Sequence, residues 1–392
     1  MIKRRNFLKL SGAALLPVIT ARFQPAAFAG AAVATEQVQA VNFMEDGPAY
    51  KPQAYVQKLQ EILGTTGIKS DFYDKGGVVA ELEKKITDLT GKEAAIYVPT
   101  GTMANQMALA LLSGSNTKVY LQEASHIFRD EADAAQSVYG KRLIPLAKGE
   151  PYFTLEQLQA AIAYDNENEV FKSGIGAVAI ENPVRRCDGR QVPFEELQKI
   201  SAYCKENKYP MHLDGARLFL ASASSGVTIA DYARLFDTVY ISLYKYMGAG
   251  GGAILAGDKI LIDKMEHLIK IHGGTIYTNW PNAAMALYHL DGLQDRLQRT
   301  MIKARELVAA LNQVKGMQVA ALPGGTNIFY LMPAKEINGQ HFSKALRDKQ
   351  ILIRDPNAEG IIRLQVNETL LNIDIQKLVN SFTLAANGAI HP

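Results

Sequence analysis

A lysine, an aspartate and a threonine–glycine pair carry the first chemical signal in this 392-residue chain. Lys245 stands between Tyr244 and Tyr246, ahead of the run Gly248-Ala-Gly-Gly-Gly252. A lysine so placed is expected to be shielded from water, and burial would lower its pKa and make the amine a nucleophile. Asp214 leaves an apolar stretch in His212-Leu-Asp-Gly-Ala-Arg217. Alone it reads equally as a helix cap or as a carboxylate partner for a cationic nitrogen. Pro99-Thr-Gly-Thr-Met-Ala-Asn105 precedes a helical stretch. Free N–H groups there favour phosphate, and Gly101 admits a close backbone approach, although a plain N-cap is the commoner use of such a segment. Pyridoxal phosphate needs all three parts: a lysine for the Schiff base, a carboxylate facing the pyridine nitrogen, and a phosphate cup. The competing dinucleotide fingerprint, Gly248-Ala-Gly-Gly-Gly-Ala253, fails on context, because it runs into a strand pattern where a helix should open.

The elements that position these residues follow from periodicity. Strands are expected at 94–98, 118–121, 175–180, 210–213, 237–242 and 252–256, with helices at 81–89, 102–112, 194–205 and 259–271. Short apolar runs alternating with amphipathic helices predict an α/β sheet covered on both faces, and the candidate residues fall where open sheets put their ligands. Residues 281–314 read as one long helix or two, and 326–331, 340–347, 361–365 and 374–382 as a small α+β domain. The expected domains are therefore 30–290, a lead plus the large domain, and 291–392.

Composition removes other classes. With 48% hydrophobic and 21% charged residues, the chain is neither disordered nor low in complexity. Outside residues 1–29 it holds 37 basic against 39 acidic residues, which excludes a basic nucleic-acid surface. Two cysteines, Cys187 and Cys204, make neither a disulfide framework nor an all-cysteine metal site. Residues 1–29 carry Lys3-Arg-Arg-Asn-Phe-Leu-Lys9, an uncharged run of about 12 residues and Ala27-Phe-Ala29. That order resembles a signal peptide of the twin-arginine type and implies a periplasmic or exported protein; the run is too short to span a bilayer.

From about Phe43 to Phe382 the chain resembles the threonine aldolase and β-eliminating lyase family of fold-type-I pyridoxal-phosphate enzymes. The resemblance rests on Val98-Pro-Thr-Gly-Thr-Met-Ala-Asn105, Ser125-His126, His212-Leu-Asp-Gly-Ala-Arg-Leu218 and Lys245 with its glycines. It implies a large α/β domain with a mostly parallel sheet, and a small C-terminal domain. Lys245 is then the Schiff-base lysine, Asp214 the pyridinium partner, Gly101 and Thr102 the phosphate holders, and His126 the residue stacked on the ring. The resemblance points to Arg217 and Arg363 for the carboxylate of an amino-acid substrate. It also implies that Tyr73 and the Thr275 loop (His272–Asn279) reach a neighbouring protomer's site, in a homodimer or homotetramer.

Several positions depart from that pattern. The family's serine before the lysine is Tyr244 here, and its Arg-Ser-Asp-Thr is Met44-Glu-Asp-Gly47, which puts an acid where a carboxylate-binding serine stands. A histidine that many members carry upstream of Glu181-Asn182 has no counterpart across 164–176. Pro183-Val-Arg-Arg-Cys-Asp-Gly189 reads as an insert in which Arg185 or Arg186 could touch substrate. The expected reaction is Cα–Cβ cleavage of a β-hydroxy-α-amino acid to glycine and an aldehyde. β-Elimination or dehydration, which needs no base for the β-hydroxyl, is the alternative within the same cofactor class. An inactive cofactor-binding envelope protein is the reading outside it.

Overall fold

The computed structural model describes residues 40–65 and 67–390. The expected signal segment lies outside the described residues. Twelve strands run in chain order: β1 (Val41–Asn42), β2 (Ala94–Val98), β3 (Lys118–Gln122), β4 (Arg142–Leu146), β5 (Ile175–Glu181), β6 (Met211–Asp214), β7 (Thr238–Ser242), β8 (Ala253–Gly257), β9 (Met317–Ala321), β10 (Ile328–Pro333), β11 (Ile351–Leu352) and β12 (Ile362–Gln365). Seven of them form one sheet in the order β2-β8-β7-β6-β5-β3-β4. β8 is antiparallel to both neighbours, and the remaining pairs are parallel.

Burial explains why these segments are strands. Every residue of β3, β6, β7 and β8 is buried, as a sheet covered by helices on both faces requires. The covering helices present matching stripes: Ile262, Met265 and Ile269 on Lys259–Ile271, and Ala104, Met107 and Ala108 on Gly101–Ser113. Residues 281–314 form two helices, Trp280–Leu290 and Leu293–Leu311, broken where Gly292 turns left-handed at φ 61°. The helix expected at 81–89 starts at Gly77, because Val78 and Val79 are buried as well.

A second core gathers Phe43, Phe342 and Phe382 beneath the antiparallel sheet β9-β10-β12. β1 pairs with β11, so Val41 and Phe43 of the lead pack into this C-terminal core. The lead then runs back to the large domain, where a Cβ on Gly47 would stand 2.5 Å from Tyr246 Cα and 3.0 Å from the Lys245 carbonyl oxygen. Gly47 thus fixes how closely the lead lies on the lysine segment.

That contact yields a paired prediction. Gly47→Ala must push two backbones apart and should cost about 1–3 kcal/mol in chemical denaturation, as overpacking does. Gly64→Ala, inside the helix Pro52–Thr65 with nothing within 4 Å of the new Cβ, should instead raise stability by roughly 0.5–1 kcal/mol. Equal shifts for the two variants would remove the role assigned to Gly47.

Candidate active site

The sheet register brings the candidate residues to one edge. Glu181 at the end of β5 stands opposite Asp214, Asp214 opposite Tyr240, and Ser242 and Val98 both opposite Ala253. The segments that follow these strands carry Gly101, His126, Arg217 and Lys245. Thr100 caps the helix Gly101–Ser113 by accepting the Met103 N–H at 3.2 Å, which leaves the N–H groups of Gly101 and Thr102 without helical partners. A Cβ on Gly101 would lie 2.1 Å from the Tyr240 hydroxyl, so only glycine fits there. The buried Ser242 hydroxyl, three residues before Lys245, has no hydrogen-bond partner. Two free N–H groups and an orphaned buried hydroxyl fit a phosphate.

Asp214 is 1% exposed, held by Asn105 Nδ2 at 3.1 Å and the Ala216 N–H at 3.2 Å. Burial, with the Glu131 charge nearby, pushes its carboxyl above the usual range. A protonated ring nitrogen would supply the cation this carboxylate lacks, so the residues fit pyridoxal phosphate at both ends of the cofactor. Lys245 departs from the enclosed position expected of it. It is half-buried, with Nζ 4.7 Å over the ring of Tyr244, which is itself 43% exposed. The opening follows from the lysine facing a cavity, while Tyr246 and Met247 behind it are buried.

Glu131, which the sequence reading missed, organises the histidine. His126 Nδ1 lies 2.9 Å from Glu131 Oε1, and the same oxygen accepts from Asn105 Nδ2 at 2.8 Å. The Glu131 bond raises the His126 pKa above its ordinary value. Asn105 Oδ1 meets His212 Nε2 at 3.0 Å, and His212 Nδ1 meets the Thr238 hydroxyl at 2.9 Å. Burial drops His212 to about 3, so it is neutral and donates through Nε2 to Asn105. This fixes the Asn105 amide to donate toward both carboxylates. His126 is held at its backbone too, its N–H donating to Glu181 Oε2 at 2.7 Å.

A cavity of about 710 Å³ holds Lys245, Arg217 and Arg363 together with Glu45, Asp46, Arg185 and Arg186. Neither expected carboxylate-binding arginine is unpaired. Arg217 meets Asp46 Oδ2 through Nε at 3.0 Å and Nη2 at 2.8 Å, and Arg363 Nε donates to Asp188 Oδ1 at 2.7 Å. Burial alone would raise Asp46, but the Arg217 guanidinium holds its carboxyl below the ordinary range. Asp188 also accepts from the Tyr330 hydroxyl, and Gln365 bridges Arg363 to Asp46. The supposed insert 183–189 is a turn closed by the bridge Val184–Arg190. Gln365 could have been found from its place two residues beyond Arg363 on the same strand face, and Glu131 from its place five residues after His126. Asp188 gave no signal, because its partners are close only in the fold.

Tyr73 and Thr275 are not brought to the Lys245 cavity. They line a separate cavity of about 1050 Å³ beside Phe72 and Glu266. There the exposed rings of Phe72, Tyr73 and Tyr277 pack edge-on at 4.7–5.4 Å. Cys187 and Cys204 are free thiols.

The His126–Glu131 contact sets an expected titration. Glu131→Gln removes the charge beside the imidazole and should move the His126 titration midpoint downward in ring-proton NMR. An unmoved midpoint would show that Glu131 does not control the ring.

Comparison with known proteins places this geometry. The sequence matches the β-eliminating lyase family over residues 64–333. It is 32% identical to the low-specificity L-threonine aldolase of Candida albicans over 60% of this chain and 63% of that enzyme, short of two thirds of its length. Against the low specificity L-threonine aldolase of Saccharomyces cerevisiae, identity is 30% over 70% of each chain. Among solved structures, an Exiguobacterium protein described as an aromatic amino acid β-eliminating lyase/threonine aldolase superposes with a TM-score of 0.74 at 25% identity, covering 89% of this chain and 98% of that one. The chain belongs to the β-eliminating lyase family: it is a pyridoxal-phosphate-dependent lyase of fold type I.

Proposed function

We propose that the protein cleaves the Cα–Cβ bond of a β-hydroxy-α-amino acid, releasing glycine and an aldehyde. The observation that carries this reading is the oriented His126–Glu131 pair at the same sheet edge as Lys245 and Asp214. Bound pyridoxal phosphate supplies an electron sink for the pair left on Cα when the bond breaks. Lys245 anchors it covalently, the Gly101 and Thr102 N–H groups with Ser242 hold its phosphate, and Asp214 keeps a proton on its ring nitrogen. Arg217 and Arg363 receive the substrate carboxylate by exchanging it for Asp46 and Asp188. That exchange keeps each guanidinium oriented before substrate arrives. His126, in its neutral form, is the group available to take the β-hydroxyl proton. Glu131 stabilises the imidazolium so formed.

A second reading, β-elimination, has one observation in its favour: among the described residues, no histidine lines the Lys245 cavity. Product analysis separates the two. Incubated with threonine, allo-threonine and phenylserine, the loaded enzyme should release glycine and the matching aldehyde in equal amounts. Release of a keto acid and ammonia without glycine would decide for elimination, and release of nothing would leave the inactive reading.

The working unit we infer is a homodimer or larger, since the Lys245 cavity lacks Tyr73 and Thr275 of its own chain. Residues 1–29 further support export by the twin-arginine route, which carries folded proteins and so suits a cofactor loaded in the cytoplasm. The expected outcome is a processed, yellow dimer in the envelope fraction. Replacing Arg4 and Arg5 by lysine should hold an uncleaved yellow dimer in the cytoplasm. Undiminished export of that variant would sink the route, and a monomeric active species would sink the dimer.

A further inference from the structure

The two carboxylate-binding arginines do not exhaust the positive charge of the Lys245 cavity. Arg217 and Arg363 are each matched by one aspartate. Arg185 and Arg186 share a single carboxylate. Arg186 grips Asp130 with Nε at 3.0 Å and Nη2 at 2.6 Å, and Arg185 Nη1 adds a bond at 3.1 Å to the same Oδ2. One negative charge between two guanidiniums leaves one positive charge over, and with Arg354 and Lys245 on the same wall the cavity keeps more cations than Glu45 can balance. Arg354, on the same cavity wall, donates to the Met44 carbonyl at 2.8 Å and has no carboxylate partner among the described residues. The side chains of Arg185 and Arg186 are about half exposed, at 48% and 47%, so they remain accessible from the cavity.

The backbone sets where this excess charge stands. The Arg185 N–H donates to Glu181 Oε1 at 2.8 Å, and the other oxygen of that carboxylate holds the His126 N–H. At the far end of the same short turn, Asp188 holds Arg363. The turn therefore bridges the arginine that receives the α-carboxylate and the segment that carries the imidazole. Arg185 and Arg186 line the same cavity as Lys245, Arg217 and Arg363. A substrate whose α-carboxylate is held by Arg217 and Arg363 therefore has Arg185 and Arg186 within the space left for its β-substituent. An alkyl or aryl group there would leave the excess guanidinium without an anion, whereas a carboxylate fits the fork that already holds Asp130.

We propose that Arg185 and Arg186 form a second anion site that selects β-hydroxy-α-amino acids whose β-substituent is itself a carboxylate. The turnover arm rests on the carbon–carbon cleavage proposed above, and the binding arm does not. With 3-hydroxyaspartate the β-hydroxyl proton is removed, the Cα–Cβ bond breaks and Cβ becomes the carbonyl of glyoxylate. The electron pair stays with Cα, which takes up a proton to give glycine, with no net oxidation.

The test uses the holoenzyme at fixed ionic strength. Aspartate and alanine are titrated against the visible band of the cofactor, and 3-hydroxyaspartate competes with threonine for turnover. Aspartate should bind at least ~10-fold tighter than alanine, and kcat/KM should favour the hydroxy diacid by a similar factor, as for one charge-assisted contact. Arg185→Gln with Arg186→Gln should collapse both ratios toward one. Asp130→Asn, which frees both guanidiniums, should enlarge them and covers the case of a double variant that fails to fold. Ratios near one in the unaltered enzyme, or ratios the arginine variants leave intact, overturn the second anion site. Selective aspartate binding with no glycine from either hydroxy acid upholds it and overturns the cleavage reading instead.

Discussion

Three carboxyl groups, Glu131, Glu181 and Asp214, are buried together at one edge of the sheet, and their shortage of cations is the constraint on which the site depends. Burial pushes Asp214 and Glu181 up, and each is raised further by a neighbouring acid. Such a cluster persists when backbone N–H groups and an oriented amide share its charge and a cation completes it. Here Asn105 and the N–H groups of His126, Arg185 and Ala216 supply the first part. His126 would supply a cation only when protonated, and in the role proposed for Asp214 the protonated ring nitrogen of a bound cofactor would supply another. Cofactor binding would then relieve the repulsion that pushes the Asp214 carboxyl up.

The sheet makes this cluster possible because parallel strands end together. Asp214, Ser242 and Glu181 are terminal residues of adjacent or nearly adjacent strands, and Lys245 follows three residues after one of them. Residues placed this way were legible in sequence, since a polar group leaving an apolar run marks both a strand end and a ligand edge. The helix Lys259–Ile271 was legible to its ends by its apolar stripe. The helix Leu155–Asn168 was not, because its mixed polar and apolar face hides the periodicity, although Thr154 and Gln157 form a capping box that announced its start. β4 escaped because Arg142 and Pro145 are exposed on an edge strand and break the expected apolar run.

The site residues that escaped share a different cause. Asp188 and Asp46 act through arginines more than 170 residues away, while Glu131 stands only five residues after His126 but has the same appearance in a solvated loop as beside an imidazole. Charge alone leaves Arg217 and Arg363 open either to a substrate carboxylate or to an ion pair. The fold fills each with an aspartate, which changes what binding must do. A guanidinium left unpaired at the buried Arg217 would be costly. In the proposed mode of binding, substrate would have to displace Asp46 and Asp188, so affinity would come from the difference between two carboxylate contacts.

Glu181 ties these arrangements into one unit. Its two oxygens accept from the N–H of His126 and the N–H of Arg185, so one buried carboxylate positions both the His126 segment and the arginine turn. Its own carbonyl accepts from Gln122 Nε2 at 2.9 Å, while the side-chain Oε1 of Gln122 takes the Glu181 N–H at 2.9 Å, tying its backbone to a side chain of β3. The reach of this residue is thus set by the sheet rather than by a loop. A movement of the turn that carries Arg185 would pull on the carboxylate that holds His126. In the proposed reaction, the groups that meet the Cβ substituent and the proton on its hydroxyl would thus share a single rigid anchor, so a loop-borne cation could bear on the placement of an imidazole it does not touch.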